Sequence, residues 1–498
     1  MQNRRTFIKK AGLGMAAMLF SHTMLRCSKQ SRPNIIWIIA DDLSPDLGCY
    51  GHPLVQTPHI DRIARAGVRF THAYATGVGC SPSRSALNTG MYQTTLGAHH
   101  HRTLDKKPLP DHVQLVSQYF SQAGYFTCNG YGTPDSRPGK RDLNFIPKEP
   151  IFDGSDWSQR QEGQPFFAQV QIYDPHRPFE RDPENPIDHS NVDLPPYYPD
   201  HPVAKRDWAN YLEAIQVLDR KVGEVLTRLD NENLTDNTVV FFFADQGRPH
   251  LRGKCLLYEG GIQVPLIIRW PGHLQTNTVN NDLVSLIDLG PTCLKLAGID
   301  IPNHMHGIDF LSSSIAKREF IVAARDLSTR NLDRIRCIRT KRFKYIRNFM
   351  PEKAYLPYNH YHAYRYPVRT LLKVLEKKDA LPPEQARLLQ PTKPKEELYD
   401  LKTDPFELHN LARKDEYQDK LYEMQSILDA WIVRTDDQAE KGGFGATSME
   451  ELIAVRDKKY KPLWEKRGFN PDEMDYKAYL NWWKKKLGID VEKMSDGI

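Results

Sequence analysis

Residues 34–40 (Asn-Ile-Ile-Trp-Ile-Ile-Ala) form an unbroken apolar run of strand length that stops at Asp41-Asp42. A run without alternation predicts a strand covered on both faces, as in a parallel sheet between two helix layers. The pattern recurs at 165–172, at 238–244 before Asp245, and at 264–268. Between the second and third runs, Trp208, Leu212, Ile215, Leu218, Val222, Val225 and Leu229 fall at three- and four-residue spacing, which predicts a long amphipathic helix. Buried strands alternating with such helices predict an α/β fold: a large, mostly parallel sheet sandwiched by helices. Ligands bind beyond the carboxyl ends of the strands in sheets of this kind. Asp41, Asp42, Asp174, His176, Asp245 and Gln246 collect at those ends.

From about residue 316 the pattern changes. Short strands are predicted at 320–324 and 334–349, then a charged, aromatic-rich stretch to 396, a strand at 397–401 and an amphipathic helix over 415–435. These read as a smaller C-terminal α+β subdomain. The predicted division is an export signal at 1–32, the main α/β domain at 33–315, the subdomain at 316–440, and an extension at 441–498. The extension opens on Lys441-Gly-Gly-Phe-Gly445 and contains Trp482-Trp483, a pair costly to leave in water, so it is expected to pack on the body.

Composition narrows this picture. At 40% hydrophobic and 26% charged, the 498-residue chain is neither disordered nor a multi-span membrane protein, and seven cysteines are too few for a disulfide scaffold. Residues 1–32 carry Arg4, Arg5, Lys9, Lys10, Arg26, Lys29 and Arg32 with no acid, around an apolar run (11–20) too short to span a bilayer. Asn3-Arg-Arg-Thr-Phe-Ile-Lys9 resembles a twin-arginine export signal. Cys27 ends the apolar segment where a lipoprotein carries its acylated Cys, although Arg26 stands where a small residue is expected. The expectation is an exported protein, periplasmic or a cell-surface lipoprotein, touching membrane only through such an anchor. The formal charge of +6 belongs to this segment: without its seven basic residues, 61 basic residues face 62 acidic ones. No nucleic-acid partner is expected from that balance.

Common catalytic signatures are absent: no HExxH, CxxC, GxSxG or GxGxxG after a strand. What stands out is Cys80-Ser-Pro-Ser-Arg84-Ser-Ala-Leu-Asn-Thr-Gly90. Pro82 suits the first turn of a helix, placing Cys80 at an N-terminus whose free N–H groups favour an anion, with Arg84 one turn on. Read locally, Cys80 is either an ordinary buried thiol or a reactive thiolate whose base the sequence does not identify.

The string resembles the Cys-x-Pro-x-Arg signature of type I sulfatases of the alkaline phosphatase superfamily. Other segments resemble that family in its order: Asn34–Asp42, Asp174-Pro-His-Arg-Pro178, Phe243-Ala-Asp-Gln-Gly247, Arg252-Gly-Lys254, Leu257–Gly261, Val264–Gly272, and Glu397–Leu401 with Asp404-Pro405 and Asn410-Leu-Ala412. The resemblance implies that Cys80 is oxidised to formylglycine by a maturation enzyme. One hydroxyl of its hydrate attacks sulfur, and the other loses a proton so that the hemiacetal collapses and expels sulfate. It implies that Arg84 holds the hydrate, that Lys140 and Lys254 contact the sulfate, and that His176 is the acid for the leaving group. Asp41, Asp42 and Asp245 offer hard oxygens, with Gln246 as an amide oxygen and the residue at position 80 completing the set, which suits Ca2+ or Mg2+. Gln246 stands where the family more often has Asn or His. In Gly139-Lys140-Arg141-Asp142, Asp142 stands where the family has His, so His99, His100, His101 or Arg102 are the nearby candidates to serve there or to read substrate. Arg177, His250 and Arg325 are further candidate substrate-binding residues; Arg325 leads a basic stretch (325–347) whose alternate positions face outward.

The expected substrate is a sulfated carbohydrate. The 174–177 segment resembles heparan N-sulfatase-like members, which leans towards an N-sulfated glucosamine. Two alternatives remain open here: a phosphomonoester or phosphodiester hydrolase of the same superfamily, and a non-catalytic polysaccharide-binding protein with unmodified Cys80.

Overall fold

A computed structural model describes residues 32–104, 106–134, 137–328, 331–437 and 449–489. The export signal apart from Arg32, Cys27 within it, and the Lys441–Gly445 start of the extension lie outside these residues.

The chain order is β1 (Asn34–Ala40), α1 (Pro58–Arg65), β2 (Val68–Tyr74), α2 (Cys80–Thr89), α3 (Val116–Gln122), β3 (Phe126–Gly130), β4 (Phe166–Ile172), α4 (Pro202–Asn231), β5 (Thr238–Ala244), β6 (Gln263–Arg269), β7 (Thr278–Ser285) and α5 (Leu289–Leu296). The strands form one seven-stranded sheet in the order β3-β4-β1-β5-β6-β2-β7. All pairs are parallel except those of β6, which runs against both β5 and β2. The apolar run at 264–268 is therefore a strand reversed against its neighbours. The whole of β1 and β5 is buried, and the amphipathic stripe of α4 covers one face with Trp208, Leu212, Ile215, Leu218 and Val222.

A four-stranded antiparallel sheet follows, ordered β11-β10-β9-β8, from β8 (Ile321–Ser328), β9 (Asn331–Arg339), β10 (Phe343–Asn348) and β11 (Glu396–Asp400). Helices α6 (His360–Arg365) and α7 (Pro367–Glu376) lie between β10 and β11. Helix α8 (Gln418–Thr435) packs Leu421, Met424, Leu428 and Trp431 against Val322, Ile338, Tyr345 and Leu398 of this sheet. The two sheets meet at the site: the amide of Ala324 in β8 donates to Thr76 O, just before α2. Helices α9 (Met449–Arg467) and α10 (Tyr476–Lys486) return to α6 and α7, where Trp464, Tyr479 and Trp483 join Tyr364 in an aromatic cluster. Among the described residues no helix is long and apolar enough to cross a membrane, and the six described cysteines are all free thiols.

Candidate active site

Strand register assembles the carboxylates. Ala40 of β1 pairs with Ala244 of the parallel neighbour β5, so the residues that follow, Asp41-Asp42 and Asp245-Gln246, leave the sheet side by side. The left-handed backbone at Asp42 (φ 68°) turns its side chain back towards the strand ends. Its amide donates to Asp245 Oδ1 at 3.2 Å. Helix α2 enters from the other side with Cys80 as its first residue and Gly79 as N-cap. Cys80 Sγ lies 3.6 Å from Asp41 Oδ1, 3.1 Å from Gln246 Nε2 and 3.4 Å from Lys254 Nζ.

Cations hold these carboxylates together. Arg84 Nε donates to Asp245 Oδ2 at 2.8 Å and its Nη1 to Gln171 Oε1 at 2.7 Å. Lys140 Nζ reaches Asp41 Oδ2 at 2.5 Å, and Lys254 Nζ reaches both oxygens of Asp42 at 2.9 and 2.7 Å. Burial opposes the charge on Asp41, but Lys140, His176 and Arg84 hold its carboxyl well below the usual range. Asp245 goes the other way, to about 6, through burial and repulsion by Asp41. Burial likewise pushes the Cys80 thiol up to about 12, despite Lys140 and Lys254. Without a bound cation an unmodified Cys80 is thus a poor thiolate here.

The donor set fits a divalent cation. Three carboxylates converge, and the described acidic and sulfur ligand atoms of Asp41, Asp42 and Cys80 lie within 4.8 Å of one another. Gln246 supplies an independent sign: its Nε2 donates to Asp42 Oδ1 at 2.6 Å, leaving Oε1 buried without a partner. Rotating that amide by half a turn would place the oxygen among the carboxylates, an arrangement only a cation makes favourable.

Above this floor opens a cleft of about 670 Å³. Cys80, Lys140, His176 and Lys254 line it, together with Tyr173, Arg177, His101, Arg102, Asp142 and Tyr361. His176 donates from Nδ1 to Arg177 O at 2.6 Å, so Nε2 faces Asp42 at 3.7 Å. Burial and Lys254 lower its pKa to about 4. Asp142 occupies the place beside Lys140 and forms a two-pronged ion pair with Arg102 (3.0 and 2.7 Å). The imidazole next to Cys80 is His101: its ring nitrogen, Cys80 Sγ and an Asp142 oxygen lie within 4.8 Å of one another.

Several sequence expectations are corrected. His99 and His100 are buried away from the cleft, edge to face at 4.2 Å, beside the Arg336–Asp326 pair. Their turn delivers His101 and Arg102 instead. His250 is 1% exposed, stacked on Trp208 at 4.3 Å and edged by Tyr211. Asp207, 3.9 Å from it, already pairs with Arg177, so that imidazole stays neutral, its pKa lowered by burial. Arg325 is buried on Asp333 at 3.1 Å and does not line the cleft. Arg177 does line it, but its guanidinium is bound by Asp207 and by Pro249 O, between the rings of Phe179 and Tyr366. Two contributors escaped the sequence reading. Gln171, one of two amides (with Gln169) inside an otherwise apolar strand, had a signal in that break of pattern; Tyr361, whose ring centre is 5.8 Å from Lys254 Nζ, had none.

The sulfatase family description matches residues 33–299, and the description "N-sulphoglucosamine sulphohydrolase, C-terminal" matches 250–359. An ulvan-active sulfatase of Formosa agariphila is 33% identical, over 94% of this chain and 83% of that protein. Human N-sulphoglucosamine sulphohydrolase is 28% identical over 55% of this chain and 63% of its own length. Among solved structures, one in complex with its substrate D-glucosamine-2-N,6-O-disulfate superposes with a TM-score of 0.60 at 20% identity, over 83% of this chain and all of that one. It shares the fold.

Proposed function

Because this chain belongs to the sulfatase family and is a sulfate ester or sulfamate hydrolase, we propose that it removes sulfate from a sulfated saccharide, using position 80 in its formylglycine form. The observation that carries this reading is the placement of Cys80 Sγ at an N-terminal helix turn, within 3.6 Å of Asp41, Gln246 and Lys254. A hydrated aldehyde there would supply one oxygen to attack sulfur and a second whose deprotonation releases sulfate. Asp41, Asp42, Asp245 and Gln246 would hold Ca2+, which when bound draws charge from sulfate oxygens.

The chain's own side chains divide the remaining work. Arg84, fixed by Asp245 and Gln171, orients the group at position 80. Lys140 and Lys254 lie on either side of it and can turn their ammonium groups to sulfate oxygens. His101 is positioned to take the proton from the hydrate, in the role the resemblance gives to a His at position 142. His176 presents Nε2 to the cleft mouth as the proton donor to the leaving oxygen or nitrogen; a bound sulfate's charge favours its protonated form. Removal of residues 1–32 during export would leave this body in the periplasm or at the cell surface.

The test is sulfate release from a panel of N- and O-sulfated oligosaccharides, with an aryl phosphate alongside. Release from at least one saccharide and slower phosphate turnover are expected. Faster phosphate turnover would replace this reading with a phosphoester hydrolase.

A further inference from the structure

Arg177 lines the cleft but is only 4% exposed, and its guanidinium is already engaged within the protein. Nη1 and Nη2 donate to the two oxygens of Asp207 at 2.7 and 2.6 Å, Nε donates to Pro249 O at 2.8 Å, and Nη1 donates also to Arg365 O at 3.0 Å. Phe179 and Tyr366 cover the group, each ring centre 4.3 Å from Cζ. The partners come from three parts of the chain. Asp207 belongs to α4, which packs on the main sheet. Pro249 belongs to the loop that carries Lys254, whose amide donates to Arg248 O. Arg365 ends α6, the helix of Tyr361.

The backbone of the same residue acts on His176. Arg177 O accepts from His176 Nδ1 at 2.6 Å and from the Tyr173 hydroxyl at 3.2 Å, and the Tyr173 ring centre lies 4.7 Å from that of the imidazole. A ring nitrogen bound to a fixed carbonyl sets both the tautomer and the direction of the opposite nitrogen. Nε2 is thereby aimed past Asp42 Oδ2, 3.7 Å away. The carbonyl is only as fixed as the residue that owns it, and a buried two-pronged carboxylate pair holds a guanidinium in one plane and position. We infer that Arg177, clamped by Asp207, is a positioning residue: it sets the direction of His176 and ties the loop carrying it to the Lys254 loop and to α6. This rests on the reading of His176 as the proton donor and adds the device that aims it. Asp207 does not itself line the cleft.

The test measures kcat and KM of Asp207→Asn on a sulfated saccharide and on a nitrophenyl sulfate, whose leaving phenolate needs no proton donor. A misaimed donor should lower kcat on the saccharide about 10–100-fold more than on the nitrophenyl ester, with little change in KM. Added to His176→Ala, Asp207→Asn should cost the saccharide reaction less than about twofold more, because the residue it positions is gone. Equal loss on both substrates, a loss carried by KM, or full additivity with His176→Ala overturns the inference. Breaking a buried ion pair also costs stability. The variant Arg177→Met/Asp207→Val, which replaces both charges by apolar side chains, is therefore measured alongside and should show the same difference between substrates. Crystal structures of Cys80→Ala with and without Asp207→Asn test the geometry independently of turnover. A His176 ring that leaves Arg177 O in the variant supports the positioning role, and an unmoved ring overturns it. Failure of wild type to release sulfate from any saccharide, or a His176→Ala variant that slows both substrates alike, would overturn the proton-donor reading and leave the crystal structures to decide the positioning.

Discussion

Three buried carboxylates around one thiol repel each other, and the chain offsets that repulsion with Arg84, Lys140 and Lys254. The balance is incomplete, since Asp245 titrates near 6 and Gln246 keeps an unpartnered buried oxygen. A divalent ion resolves both. Calcium at a hundredfold over its Kd should therefore add about 2.7 kcal/mol to unfolding, read as a rise in Tm. Asp42→Ala should abolish that increment; a Tm indifferent to calcium in both proteins would contradict the assigned ligands. His101 carries a second expectation. His101→Ala should lower kcat by roughly 10²–10⁴, the usual worth of a positioned proton acceptor, while sulfate ester accumulates on residue 80; an unchanged kcat would remove it from the mechanism. Neither residue scale effect follows from sequence alone. Asp41, Asp42 and Asp245 were legible because each ends an apolar run, whereas the choice of His101 over His99 and His100 depends on which way a turn faces.

Elements place these residues. The β1–β5 register sets the aspartates side by side, and α2 carries Cys80 across their ends. Apolar runs announced β1 and β5, and β4 despite its Gln169 and Gln171, and spacing announced α4. The direction of β6 was not legible, because a buried apolar run has the same composition whether it runs parallel or antiparallel. Strands β2, β3 and β7 lacked such a run: β7 is interrupted by Asn280-Asn281-Asp282, and β3 has only five residues. Arg325 and His250 look like ligands in sequence, and become structural only because distant residues, Asp333 and Trp208, meet them. The α9–α10 pair is fastened by Arg467, whose guanidinium lies over Tyr364 at 3.3 Å and Trp482 at 4.3 Å. Arg467→Ala should cost on the order of 1–2 kcal/mol and speed proteolysis between α8 and α10. Unaltered proteolysis and stability would mean that other contacts hold the extension.

For the whole molecule, burial of neutral histidines fixes an acid limit. His100, 4% exposed, accepts the Leu327 amide at 3.3 Å, and burial with His99 beside it lowers its pKa to about 3. Its unfolded value is near 6.5. The unfolded chain thus binds the proton first, so this contribution is complete above pH 6.5 and is lost as pH falls towards 3. Between pH 6.5 and 5.5 the loss is about 1 kcal/mol. Thermal unfolding across that window should show it, and His100→Gln should flatten the slope; a slope unchanged in the variant would assign it to other groups. The charge balance of the body, near neutral without residues 1–32, makes sulfated-saccharide binding a property of the cleft rather than of overall charge. The central proposal is that residue 80, oxidised to an aldehyde, acts as the nucleophile through its hydrate. The mass of the peptide carrying position 80, from protein active in sulfate release, tests it most directly: formylglycine is expected there, and an intact Cys80 thiol in fully active protein would contradict the account.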